Sequence, residues 1–73
     1  MAIDFASLIS DDQKKSILEQ RLQQFSVEAY QHSINKDLAV KTGNVEGAEQ
    51  AEAALVILEE AINLHQDELK KLS

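Results

Sequence analysis

The sequence predicts an all-α protein: an antiparallel hairpin of two long helices with a short apolar N-terminal arm, which associates into a helical bundle. Three observations support this class. The 73-residue chain has no proline, and its two glycines, Gly43 and Gly47, lie close together, so little interrupts a helix elsewhere. Apolar residues recur at helical spacing on both sides of the glycines. The chain is also short enough to be one domain, residues 1–73.

Residues 1–9 form the predicted arm. Ile3, Phe5, Leu8 and Ile9 place four large apolar side chains within nine residues, and such a segment does not normally stay bare in water. We expect a short helical turn, with Asp4 as its cap, that lies over the open end of its own hairpin. The alternative is that the arm docks into another subunit or another protein.

The first helix is predicted over residues 10–42. Ser10 and Gln13 have the spacing of a capping box, in which each side chain bonds the backbone amide of the other residue. No helix breaker follows until Gly43, which suits the left-handed position after a helix end. Lys41 lies close to the carbonyl end, where a positive charge is favoured.

Apolar residues of the first helix form two rows that lie about 160° apart at 100° per residue. One row is Leu18, Leu22, Phe25 and Ala29, and the other is Val27, Tyr30, Ile34 and Leu38. The two rows cannot face the same neighbour. A rotation or break of the helix near residues 25–30 is one explanation. We favour the other, in which the two halves bury opposite faces against different partners, because no glycine or proline marks a break.

A turn at residues 43–47 and a second helix at 48–73 complete the hairpin. Asn44 can cap this helix, Glu46 lies near its start, and Lys70 and Lys71 lie near its end, which is the charge order that a helix dipole favours. A connection of a few residues makes the two helices antiparallel neighbours.

The second helix has a continuous heptad row: Ala48, Ala51, Leu55, Leu58, Ile62, His65, Leu69 and Leu72. Ala54, Ile57, Ala61 and Leu64 widen this row on one flank. The apolar arc then approaches half the circumference, which is more than one neighbouring helix covers. A symmetric homodimer that forms a four-helix bundle would bury the surplus on both copies. A higher oligomer, or docking onto another protein, is the alternative.

The residues predicted to form the oligomer or partner interface are the large members of these rows and of the arm. They are Leu55, Leu58, Ile62, His65, Leu69, Phe25, Tyr30, Ile34, Leu38, Ile3, Phe5 and Leu8. A histidine within an apolar row often specifies register or oligomeric state, and we assign that role to His65. His32 is interpreted as a partly exposed surface residue.

Catalytic, metal and cofactor sites are not expected. The chain lacks cysteine, and its serines lie in capping, helix-surface or terminal positions with no nucleophile motif around them. With the turn centred near residue 44, His65 lies beside residue 23, so His32 and His65 are about 13 Å apart along the axis. One hairpin therefore cannot bring both histidines onto one ion, and the protein is not expected to be an enzyme.

The distribution of charge along the chain limits the classes of partner that we expect. The formal charge is -6, and residues 42–73 supply most of it, with seven acidic and two basic side chains. Five of the acidic side chains form an outward acidic face: Glu49, Glu52, Glu59, Glu60 and Asp67. Direct binding to nucleic acid requires a basic surface, and helices that lie on membranes usually carry basic residues. Neither nucleic acid nor a membrane is expected as a partner, and the protein is predicted to be cytoplasmic.

Two functions follow from the sequence. In the first, the protein is a self-associating structural or adaptor module that binds itself and another protein. In the second, it is a small acidic inhibitor, of a viral or mobile-element type, that blocks a basic site on a nucleic-acid-handling or defence enzyme. The acidic face is sparse for a nucleic-acid mimic, with one charge per ~5 Å against one per ~1.7 Å in duplex DNA, and the simpler interpretation is a solvated face.

Overall fold

The computed structural model describes residues 3–72, which form an antiparallel hairpin of two long helices and so confirm the predicted all-α helical hairpin. A short 3-10 helix spans Phe5–Leu8, α1 spans Asp11–Lys41, and α2 spans Val45–Leu72. No β-strand occurs in the described part of the chain. Residues 1, 2 and 73, at the ends of the predicted arm and second helix, lie outside the described residues.

The start of α1 is the predicted capping box. The Gln13 amide donates to Ser10 Oγ over 3.1 Å, and the Ser10 amide donates to Gln13 Oε1 over 2.8 Å. Two amides that have no partner within the helix are therefore satisfied reciprocally. Asp11 and Asp12 occupy the first turn, where negative charge is favoured by the helix dipole.

The end of α1 is closed by Gly43, which adopts a φ of 74°. This left-handed conformation lets the Asn44 amide reach the Ala39 carbonyl at 2.8 Å, while the Gly43 amide bonds the Val40 carbonyl at 3.2 Å. The pair of bonds is a Schellman motif. Thr42 adds a hydroxyl bond to the Leu38 carbonyl at 2.9 Å, so the carbonyls at the helix end are satisfied locally.

Asn44 also starts α2. Its Oδ1 accepts from the Gly47 amide at 2.9 Å, and its carbonyl accepts from the Ala48 amide at 3.1 Å. Because the residue that closes α1 caps α2, the helix begins at Val45 rather than at the expected residue 48, and the turn is shorter than residues 43–47. A Cβ on Gly47 would lie 2.5 Å from Asn44 Nδ2, so glycine leaves room for the cap.

α1 is one unbroken helix, which excludes the break near residues 25–30. Within the chain, α1 contacts α2 through one face along its length, so burial of the second row against a different partner stays a prediction. That face continues the first apolar row with polar and small residues: Leu18, Leu22, Phe25, Ala29, His32, Lys36 and Ala39 are all partly or fully buried. The other row, Val27, Tyr30, Ile34 and Leu38, is exposed.

α2 faces α1 with its heptad row, every member of which is partly or fully buried. Lys36 of α1 pairs with Glu52 of α2, and these positions agree with a turn centred near residue 44. Among the described residues, only Ala39, Ala51 and Leu58 are buried. The interface between the helices is therefore a single narrow seam.

The molecule is elongated, with extents of 50 × 27 × 14 Å and a radius of gyration of 16.4 Å. A compact domain of this length would have a radius of gyration of about 11 Å. The accessible surface is 5857 Å², compared with about 4,500 Å² for a folded monomer of this mass. The hairpin thus exposes much more surface than a compact monomer.

Candidate interaction surfaces

Three side chains from both helices form a polar and aromatic cluster near the middle of the hairpin. Arg21 Nε donates to His65 Nε2 over 2.9 Å, and the guanidinium carbon of Arg21 lies 5.4 Å from the centre of the Phe25 ring. The Phe25 and His65 rings meet edge to face, with centroids 5.0 Å apart. The arrangement combines a hydrogen bond, a cation–π contact and an aromatic contact.

The bonds of His65 define its tautomer. Nε2 accepts from Arg21, so Nδ1 carries the proton and donates to the Ala61 carbonyl at 2.6 Å. These bonds fix the ring within the seam. Its contacts with residues 21 and 25 agree with the expected register, which places His65 beside residue 23. Arg21 was not among the predicted interface residues. In the sequence, only the approximate register of the hairpin indicated that Arg21 lies near His65.

Several predicted interface residues lie in the contact between α1 and α2. Leu55, Leu58, Ile62, His65, Leu69 and Phe25 are all partly or fully buried there. These side chains hold the hairpin together, and their inner faces are not free for another molecule. The remaining predicted residues lie outside this contact, on the back of α1 and in the arm.

The back of α1 carries an exposed apolar stripe, here called the rear stripe: Val27, Tyr30, Ile34 and Leu38. It lies opposite the face that contacts α2. Among the charged residues of α1, Arg21 and Lys36 contact α2 and Glu28 is partly buried, whereas Asp37 is exposed and lies beside the stripe, three residues after Ile34. The stripe is therefore an exposed apolar surface with charge at its border, the pattern of an interface core with a polar rim.

A second exposed apolar surface lies on α2 and was not among the predicted interface residues. Ile57 and Leu64 are 70% and 58% exposed, and Ala54 and Ala61 lie partly buried beside them. The signal for this surface was present in the sequence, because the same residues form the flank that widens the heptad row. This flank is displaced to one side of the α1 contact.

The arm forms the expected short helical turn but does not cover the hairpin. The Ser7 amide and hydroxyl both donate to the Asp4 carbonyl, whereas the Asp4 carboxylate makes no capping bond. Asp4 therefore occupies the cap position without capping through its side chain. The side chains of Ile3, Phe5 and Leu8 are exposed.

Ile9, directly after the 3-10 helix, is the arm residue that reaches the open end of the hairpin. It lines a cleft there with Ile17, Leu18 and Leu72. Because Ile3, Phe5 and Leu8 stay exposed, much of the apolar surface of the described arm residues is available to another molecule.

The side chains of the predicted acidic face lie on the outer side of α2. Glu49, Glu59, Glu60 and Asp67 are exposed, while Glu52 is paired with Lys36. Val56, which is 49% exposed, interrupts the acidic face at its middle. This face therefore carries a sparse negative charge with an apolar residue at its centre.

No group of three or more histidine, cysteine, aspartate or glutamate side chains converges on a metal position within residues 3–72. His32 lines a shallow cleft with Asn35 and Gln50 and does not meet His65. Neither α1 nor α2, as described, contains a stretch both long and apolar enough to span a bilayer.

Comparison with known proteins gave no match: no family model, no curated protein and no solved structure is significantly similar to this chain.

Proposed function

We propose that this protein is a non-enzymatic, self-associating structural or adaptor module. The observation that carries the proposal is the amount of large apolar surface left open by a hairpin with a narrow seam. Most of this surface lies in three separate places, the rear stripe of α1, the flank of α2 and the arm. One of them can serve association between copies while another holds a different protein.

The surface area supports the same proposal. The chain exposes 5857 Å², about 1,350 Å² more than expected for a compact monomer of its mass. A standard protein interface buries about 800 Å² on each partner. The surplus is therefore large enough for one stable interface and part of a second.

The expected second partner is a protein with an apolar, weakly charged contact surface. The rear stripe is suited to such a partner because its four side chains are uncharged and follow one face of a rigid helix. Helix faces of this kind pack against grooves or other helices through residues spaced three and four apart.

Sedimentation equilibrium at protein concentrations from about 5 to 500 μM tests self-association. We expect the mass to rise above that of one chain as concentration increases, with helicity unchanged by circular dichroism. A monomer over the whole range would contradict the proposal.

The acidic face of α2 supports a second candidate function, an inhibitor that occupies a basic site. Its supporting observation is that Glu49, Glu59, Glu60 and Asp67 all point outward on one helix. The salt dependence of partner binding distinguishes the two functions, because binding driven by exposed charges weakens steeply as ionic strength rises from about 50 to 200 mM.

Charge removal gives the second arm of this test. Replacement of Glu59 and Glu60 by glutamine should abolish binding of an inhibitor to a basic site. The same replacement should leave self-association of an adaptor unchanged. Salt-resistant binding that survives the replacement would contradict the inhibitor function.

A further inference from the structure

α2 carries two heptad rows rather than one. The first row contacts α1. The second row contains Gln50, Ala54, Ile57, Ala61, Leu64, Glu68 and Lys71, spaced alternately by four and three residues. Each member comes one position before a member of the first row, so the two rows lie about 100° apart around the helix.

This angle is the one required of a helix in a four-helix bundle, where each helix packs against two neighbours in roughly perpendicular directions. The first neighbour of α2 is α1. The direction of the second neighbour is occupied by Ile57 and Leu64, which are exposed in the isolated hairpin. The rear stripe of α1 lacks this geometry, because it lies opposite the existing contact.

The second row is complementary to itself in an antiparallel arrangement. When Ala61 of one copy faces Ala61 of another, Ile57 lies opposite Leu64, and the polar ends Gln50 and Lys71 lie opposite each other. Small residues then face each other at the centre, and large apolar residues face each other on either side of it. The apolar members of the row are central, and the polar members Gln50, Glu68 and Lys71 lie at its ends.

The area also favours a second copy as the occupant. The surplus surface of about 1,350 Å² per chain exceeds the roughly 800 Å² that each partner buries in a standard interface. On this side of the hairpin, His32 and Asn35 of α1 share a cleft with Gln50 at one end of the row, and Ile17 lies in a cleft with Glu68 at the other end. Ile57 and Leu64 of α2 supply the apolar centre of the row.

We propose that two copies of this chain associate through the second row of α2, antiparallel about a two-fold axis at Ala61. This inference rests on the proposed self-association and states where it occurs. Each α2 then packs against its own α1 and against the other α2, as in a four-helix bundle. The rear stripes remain on the outside, open to another protein.

A pair of neighbouring substitutions tests the contact. Ile57→Asp places a charge in the second row, whereas Val56→Asp places the same charge on the outward face of the same turn. Both sites are exposed, at 70% and 49%. We expect Ile57→Asp to weaken the dimer at least tenfold and Val56→Asp to change its dissociation constant less than threefold, measured by sedimentation equilibrium.

Single-cysteine variants test the antiparallel register, because the chain has no cysteine of its own. With the axis at Ala61, residues 57 of the two copies would lie about 12 Å apart along the helix axis and residues 64 about 9 Å apart, both beyond the separation of about 7 Å that a disulfide bridges. Ile57→Cys alone and Leu64→Cys alone should therefore crosslink poorly, and an equimolar mixture should crosslink efficiently. Val56→Cys is the exposed control.

The outcomes separate this inference from the proposed function. A wild-type monomer would overturn both. A wild-type dimer that is unaffected by Ile57→Asp, with native helicity, would overturn the inference and leave self-association intact. Crosslinking of Ile57→Cys to itself, or a mixture that crosslinks no better than its components, would overturn the antiparallel register.

Discussion

Gly43 is the residue on which the turn depends most directly. Its φ of 74° lies in the left-handed region, which costs other L-residues about 1–2 kcal/mol. A Cβ added there would meet no atom within 4 Å. Substitution therefore tests backbone conformation without a steric clash.

We expect Gly43→Ala to lower the free energy of unfolding by about 1 kcal/mol and Gly43→Asn to lower it less, since asparagine tolerates this conformation better. Urea denaturation at one fixed protein concentration measures both changes. Equal stability of Gly43→Ala and wild type would contradict the assigned role of the turn.

Asn44 and Gly47 are coupled through the cap of α2. Asn44→Ala should cost about 1 kcal/mol of stability. Gly47→Ala should gain helix propensity, but its Cβ would displace the Asn44 amide, whose Nδ2 is 2.5 Å away. We expect Gly47→Ala to be neutral or destabilising in the wild type.

The same substitution should stabilise the Asn44→Ala variant by about 0.5–1 kcal/mol, because no cap then remains to be displaced. The four proteins form a double-mutant cycle, measured by urea denaturation. Additive effects would show that the two residues do not interact.

At the scale of the helices, a substitution at Leu58 tests the seam, because Leu58 is a large buried residue at the centre of α2. Leu58→Ala removes apolar contacts with α1 and should cost about 2–3 kcal/mol. Val56→Ala, two positions earlier on the outward face, should change stability by less than about 0.5 kcal/mol. Thermal unfolding followed by circular dichroism compares the two variants, and a similar loss in both would contradict the assigned faces.

The helix ends and the face of α2 could be predicted because their signals are local. Ser10 with Gln13, Gly43 and Asn44 each act within a few residues, and the heptad row of α2 is unbroken. The seam of α1 could not be traced past Ala29, because His32 and Lys36 continue it. Polar residues can pack through their apolar atoms at the edge of a seam, and hydrophobic spacing does not detect them.

The interaction surfaces were less predictable than the elements. Which apolar residues face the partner helix depends on the register between α1 and α2, and the register was known only to within about two residues. Ile57 and Leu64 were visible as a flank of α2, but their exposure follows from the narrowness of the α1 contact. The hydrogen bond from Arg21 to His65 could not be predicted from the sequence, because it depends on the length and direction of the Arg21 side chain.

At the scale of the whole molecule, stability should depend on protein concentration. The hairpin alone has few buried residues, so burial of its surplus apolar surface by association should add to the free energy of unfolding by mass action. We expect the melting temperature to rise by several degrees between about 2 and 200 μM protein. A melting temperature that does not change with concentration would indicate a self-sufficient monomer.

Asn44 belongs both to the C-terminal cap of α1 and to the N-terminal cap of α2. The connection between the helices therefore contains no residue that is not part of a cap. If Thr42, Gly43 and Asn44 become helical, the hairpin opens, and no proline prevents this. An open chain would be a single rod that completes its seam with the second helix of another rod, as a domain-swapped dimer. The three turn residues thus determine whether α1 finds its partner helix in its own chain or in a neighbour.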